Sequence, residues 1–199
     1  MQIWSLIVGI AAVLLISGAT VAAAADPELY LERGNRFYNE GQYERAIEEY
    51  TKVLAIVSVA DAYYNRALSF YKRGQFDKAI DDFTKVLSMT PDNWEALHNR
   101  ALSNYRRGQY DLAIEDETKA LSLNPKYAEA LHNRGVSYAK KEEYDKAIED
   151  YTAALSLRPG YMEAYFSRGV ALVRKAALDF KKACLSGMTA ACENMKQIE

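Results

Sequence analysis

From Pro27 onward the chain repeats one arrangement of apolar and polar positions. Gly41-Gln42-Tyr43-Glu44-Arg45-Ala46-Ile47, Gly74-Gln75-Phe76-Asp77-Lys78-Ala79-Ile80, Gly108-Gln109-Tyr110-Asp111-Leu112-Ala113-Ile114 and Glu142-Glu143-Tyr144-Asp145-Lys146-Ala147-Ile148 are near copies, spaced 33, 34 and 34 residues apart. A fixed period of that size marks a stack of supersecondary units, each too small to bury its own apolar face. Each unit reads as two helices; in the second unit they run from Ala60 to Arg73 and from Asp77 to Met89. Gly74 stands where a left-handed residue ends a helix, and Asp77 caps or charges the start of the next. Pro91, Pro125 and Pro159 close the second helix of three units, because proline cannot continue the hydrogen-bond ladder.

Counting units from Pro27, Ala60, Trp94, Ala128 and Met162 gives each position a slot. The eighth slot holds Gly34, Ala67, Ala101, Gly135 and Gly169, the twentieth Ala46, Ala79, Ala113 and Ala147, and the twenty-seventh Val53, Val86, Ala120, Ala154 and, after a gap, Ala183. Small residues in these slots with Pro in the thirty-second resemble the tetratricopeptide repeat, over roughly residues 27–183. The first unit departs from the pattern, being one residue short with Ser58 in the Pro slot. The resemblance implies an all-α, right-handed superhelical solenoid of antiparallel helix pairs, about four full units plus a shortened fifth. That fifth unit passes from Arg174-Lys175 straight to Ala176-Ala177-Leu178-Asp179-Phe180, without the usual turn. Its two helices are expected to fuse, or to meet through a strained turn, from about Met162 to Leu185.

At about 100° per residue, slots four, seven, eight and eleven of the first helix share the face that packs on its partner helix. Slots two, five, six, nine, twelve and thirteen share the opposite face, which the resemblance places on the concave side of the superhelix. Arg33, Arg66, Arg100, Arg134 and Arg168 all fill slot seven on the packed face, and slot twenty-three holds Glu49, Asp82, Asp116, Asp150 and Asp179. A guanidinium leaving water needs a carboxylate, so Arg66 with Asp82, Arg100 with Asp116 and Arg134 with Asp150 read as structural pairs rather than ligand contacts. The third unit breaks the apolar rule twice, with Asn104 in slot eleven and Glu117 in slot twenty-four. Two polar residues on facing slots are expected to satisfy each other; a general acid lacks any neighbouring nucleophile or cofactor motif.

On the concave side, slot five holds Leu31, Tyr64, His98, His132 and Phe166, slot six Asn65, Asn99 and Asn133, and slot twelve Tyr38, Tyr71 and Tyr105. The two histidines, the only ones in the chain, stand 34 residues apart in one slot of neighbouring units, which reads as duplication rather than a metal pair. A row of amides flanked by aromatics suits an extended peptide, since an amide both donates and accepts while pockets hold side chains; ordinary solvated helix surface is the alternative. Slot two is acidic in every unit, and slots thirteen and fourteen are basic in the last four, which fits either the helix macrodipole or the rim of a groove. Some tetratricopeptide domains hold the C-terminal carboxylates of heat-shock chaperones between cations and asparagines. Asn35 and Asn65 match the two asparagines, but Leu31, Glu95 and Asn99 stand where cations should be, so that ligand is disfavoured.

The remaining sequence sets context. Residues 1–25 carry no charged side chain, are strongly apolar from Ile3 to Ile16 and end in Ala23-Ala24-Ala25. They read as a cleaved secretory signal, as an uncleaved membrane anchor over residues 3–25, or as a buried helix; the first two place residues 26–183 in a periplasmic or other extracytoplasmic space. No Lys or Arg precedes the apolar run. In residues 184–199, Cys184 and Cys192 flank a Ser186-Gly187 turn. The segment resembles the cysteine-paired helical turns of Sel1-like repeats, which implies a disulfide in an oxidising compartment, with two buried thiols as the alternative. The 199 residues carry a net charge of −2, so no polybasic signal points to nucleic acid. Nucleotide, metalloprotease and hydrolase motifs are absent. No cofactor, metal or catalytic residue is expected. The sequence therefore predicts a non-enzymatic binding module with a protein or peptide partner, touching a membrane only through its N-terminal segment; the competing reading is an assembly module that self-associates end to end.

Overall fold

The computed structural model describes residues 26–196 and folds them into ten helices: α1 (Pro27–Asn39), α2 (Tyr43–Ile56), α3 (Ala60–Lys72), α4 (Phe76–Met89), α5 (Trp94–Arg106), α6 (Tyr110–Leu123), α7 (Ala128–Lys140), α8 (Tyr144–Leu157), α9 (Met162–Leu185) and α10 (Thr189–Lys196). The leader, and with it the readings of signal or anchor, lies outside the described residues. No helix among those described is long and apolar enough to cross a membrane. Each helix packs chiefly on its neighbours in sequence, so the pairs stack in order as a solenoid.

Turn chemistry sets the hairpins. Gly41, Gly74 and Gly108 sit at φ of 74°, 71° and 74° just past the first helix of units one to three, and Glu142 holds the same place in unit four at φ 60°. A side chain there crowds its own carbonyl, which only glycine avoids. The small slot-eight residues exist for close approach: a Cβ on Gly34 would lie 2.6 Å from the Tyr50 ring, and one on Gly135 2.8 Å from the Tyr151 ring.

Three of the five slot-seven arginines form the expected forks, while Arg33 makes a single contact of 3.3 Å to Glu49. Arg66 meets Asp82 through Nε and Nη2 at 2.7 and 2.9 Å, Arg100 meets Asp116 at 2.9 and 2.7 Å, and Arg134 meets Asp150 at 2.8 and 2.7 Å. Each guanidinium also reaches back one unit, Nη1 donating to Thr51 from Arg66, to Thr84 from Arg100, to Thr118 from Arg134 and to Thr152 from Arg168. These threonines were invisible to a reading confined to one unit. The forks thus lock the hairpins of units two to four and register each on the preceding one. A second seam lies at the surface, where slot-fourteen bases pair with acids of the preceding unit: Arg73 with Glu44, Arg107 with Asp77 at 2.7 Å, Lys141 with Asp111 at 2.5 Å, and Lys175 with Asp145. Slot fourteen is therefore a stacking contact rather than a groove rim.

The fifth unit is a single helix of 24 residues, α9, over the bounds the missing turn implies. Cys184 and Cys192 are joined in a disulfide, Cα atoms 4.8 Å apart, tying α10 to the end of α9.

Candidate interaction face

Slot-five side chains do not stand free in the groove as expected. In the four complete units each turns toward slot twenty-four of its own unit. Leu31 packs with Tyr50, Tyr64 meets Phe83 edge to face at 5.7 Å, and His132 lies 5.5 Å from the Tyr151 ring. His98 is buried, 7% exposed, and faces Glu117, itself 1% exposed. Phe166 has no second helix of its own unit to meet and stays 75% exposed.

His98 Nδ1 lies 2.9 and 3.1 Å from the two Glu117 oxygens. One proton bridges them: Nδ1–H donates to the carboxylate, or the protonated carboxyl donates to Nδ1. Burial pushes the Glu117 carboxyl up to about 7, against the pull of His98 and, more weakly, of Arg134. The expected pairing of Asn104 with Glu117 is not formed. Asn104 instead donates through Nδ2 to Asp116 at 3.3 Å, and its buried Oδ1 has no partner among the described residues. The clue lay in the sequence: within unit three the two residues that abandon apolar character in slots five and twenty-four are an imidazole and a carboxylate.

The histidines thus have different jobs despite their shared slot. His132 donates to or accepts from Ser167 Oγ at 3.1 Å and touches the Tyr161 ring at 5.1 Å, bridging units four and five. Burial holds its pKa below the ordinary imidazole value. Among the described residues, no group of three or more His, Cys, Asp or Glu is placed to hold a metal.

The asparagine row also crosses unit boundaries. Asn65 donates to Asn35 Oδ1 at 3.1 Å, and Tyr50 donates to the same oxygen at 2.8 Å. Asn99 spends both amide hydrogens, one on Tyr64 Oη at 3.0 Å and one on the Glu95 carbonyl at 2.8 Å, so only its oxygen is left to receive a ligand N–H. Asn133 lines a cavity between units three and four with Tyr71, Leu102, Tyr105, Val136 and Glu117. That cavity occupies the space a slot-twenty-four ring would fill elsewhere. The structure brings Tyr71, Tyr105 and Asn133 of the expected groove together here, separates His98 from them by burial, and leaves Phe166 at the far end.

Tetratricopeptide repeat models match residues 31–86 and 64–128, and again 128–161. The chain belongs to the tetratricopeptide repeat family. Among solved structures it is similar to MamA, with a TM-score of 0.72 at 26% identity over 86% of this chain and 89% of that one. It is similar in fold to YrrB, described as a tetratricopeptide repeat protein with an unusual peptide-binding site, with a TM-score of 0.70 at 24% identity over 74% and 76% of the two chains. The first tetratricopeptide domain of Spaghetti (RPAP3), solved with an HSP90 peptide SRMEEVD, matches with a TM-score of 0.55 at 28% identity over 56% of this chain and 89% of that one. No curated protein sequence matches the chain.

Proposed function

We propose that this protein is a non-catalytic scaffold that holds an extended segment of a partner protein along its concave face, anchored by one partner side chain in the cavity between units three and four. The observation that carries the reading is that cavity: a space lined by Tyr71, Tyr105, Val136 and Asn133 with a buried carboxyl, Glu117, in its wall, at the single boundary where the repeat omits its ring. Apolar walls with few convergent polar groups are the usual make-up of a side-chain pocket. Glu117 and the Asn133 amide favour an occupant that donates hydrogen bonds. Two neighbours in fold, YrrB and Spaghetti, are peptide binders by their descriptions, which supports the same use of this face. A chaperone C-terminus is a poor fit, because Asn35 and Asn65 bond each other and the clamp's cations are replaced by Leu31, Glu95 and Asn99. The apolar leader supports an exported or membrane-tethered setting.

A displayed library of random peptides, selected on the protein, tests this. Selected peptides should lose about tenfold or more in affinity on Asn65, Asn99 and Asn133→Ala, at about 0.5–1.5 kcal/mol per lost bond. Because two of these asparagines bond across units, that variant should also lose some stability. Glu117→Phe, which fills the cavity, should abolish selection of the anchor residue. Peptides that bind both variants unchanged would locate the interaction on another face.

A further inference from the structure

The fused fifth unit keeps the packing residues of a hairpin but lacks its turn, so they lie on a helix that cannot fold back. In complete units slot seven meets twenty-three, eight meets twenty-four, and four, eleven, twenty and twenty-seven close the core between them. In α9 those slots hold Arg168 and Asp179, Gly169 and Phe180, and Tyr165, Leu172, Ala176 and Ala183. Arg66 and Asp82 are 16 residues apart, but Arg168 and Asp179 only 11, so five residues of turn are missing. Along one straight helix that separation is about 16 Å, and the pair cannot meet.

The consequences are visible along α9. Tyr165 is 46% and Leu172 49% exposed. Nothing lies within 4 Å of a Cβ built on Gly169, whereas the matching Gly34 and Gly135 are crowded by a tyrosine ring. Arg168 reaches Thr152, yet has no carboxylate among the described residues, and Asp179 is exposed. By the helical repeat, Tyr165, Arg168, Leu172, Ala176, Asp179 and Ala183 fall on one stripe about 27 Å long. Cys184, which carries the disulfide to α10, lies about 100° around the helix from Ala183; Ala176 and Ala183 are half-buried, and Tyr165, Leu172 and Asp179 are exposed.

We infer that a second copy of this chain covers the stripe: two α9 helices pair antiparallel about Arg174, each completing the other's fifth hairpin. Antiparallel pairing centred there sets Arg168 against the partner copy's Asp179, Gly169 against its Phe180, Leu172 against its Ala176 and Tyr165 against its Ala183, and each contact occurs twice. These are the four pairings of the complete units, with charge complementary to charge and ring against glycine. A shortened hinge that exchanges one element between copies is a low-cost route to a two-fold dimer. This interface is separate from the concave face and does not rest on the reading of that face.

Light scattering of the full chain in one detergent throughout tests the pairing. The native chain should show a protein mass near twice 22.4 kDa that dissociates on dilution. Arg168→Asp should weaken the dimer roughly tenfold or more by placing like charges together at both contacts. Adding Asp179→Arg should restore it, which a loss of the Thr152 bond could not explain. Inserting five turn residues between Lys175 and Ala176 should give a monomer with a closed hairpin. A monomeric native chain, or a dimer indifferent to Arg168→Asp or not recovered by the double exchange, overturns the proposal.

Discussion

Units three and four are built from nearly the same residues, LHNR in each first helix and an Arg–Asp fork in each hairpin, yet their interiors differ in kind. In unit four, Tyr151 fills the space under Gly135 and His132 lies against its ring. In unit three, Glu117 takes the place of the ring and His98 turns inward to meet it. The imidazole keeps its slot and its direction, buried in unit three and half-buried in unit four; the residue opposite decides whether it is a proton-sharing partner or an aromatic neighbour. A repeat therefore fixes where a side chain points, while its chemistry is set by a single substitution across the hairpin.

The comparison breaks hardest if unit four is given unit three's carboxylate. Tyr151→Glu should cost about 3–5 kcal/mol by denaturant titration, because it removes a fully buried ring and empties the space under Gly135, a loss that a proton shared with His132 offsets only in part. A loss below about 1 kcal/mol would mean the interior of unit four tolerates charge as unit three does.

Removing the imidazole from unit three comes next. His98→Leu strands Glu117 and should cost about 3 kcal/mol at pH 8 and clearly less at pH 5, where the carboxyl is neutral. The sign for the native chain follows from the same group. Its folded pKa of about 7 exceeds the 4.5 of an ordinary glutamate, so the folded state binds the proton more tightly. Stability from this group is whole below about pH 4.5, falls as pH rises, and is fully lost above about pH 7, by at most about 3 kcal/mol. Glu117→Gln should remove that decline. His132, with its pKa lowered by burial, acts oppositely and loses stability as pH falls below its ordinary value. An unaltered pH profile in Glu117→Gln would show that the carboxyl is not the titrating group.

The turn offers a smaller contrast. Unit three has Gly108 at φ 74° where unit four has Glu142 at φ 60°. Glu142→Gly should stabilise the protein by about 0.5–1 kcal/mol, since relief of crowding exceeds the added freedom of the unfolded chain; the measurement is the same denaturant titration.

How far the sequence carried can be judged from these residues. Periodicity located the helices, the forks of Arg66, Arg100 and Arg134, and the fusion of α9, because each depends on slots within one unit. What it missed depends on contacts between units or on rotamer direction. Thr84 under Arg100 and Asp77 under Arg107 belong to the neighbouring unit. Slot five sits on the helix face that points toward the concave side, but its side chain leans back over the preceding turn and reaches slot twenty-four instead. Asn65 and Asn99 look like free amides in sequence because their partners, Asn35 and Tyr64, are 30 and 35 residues away.

The smallest effect separates the two polar intruders of unit three. Sequence places Asn104 and Glu117 on facing slots, which implies that they satisfy each other. In the structure Glu117 is bonded to His98, and Asn104 to Asp116 at a long 3.3 Å. Residues that share no partner add independently, usually to within about 0.5 kcal/mol. A cycle of Asn104→Tyr and Glu117→Phe should therefore show coupling below that level, provided the new rings do not clash. The cycle of His98→Leu with Glu117→Phe should show coupling of at least about 1 kcal/mol, since the first change strands the carboxyl that the second removes. Reversal of the two results would move the hydrogen-bond partner of Glu117 from His98 to Asn104, and would return unit three to the arrangement its sequence first suggests.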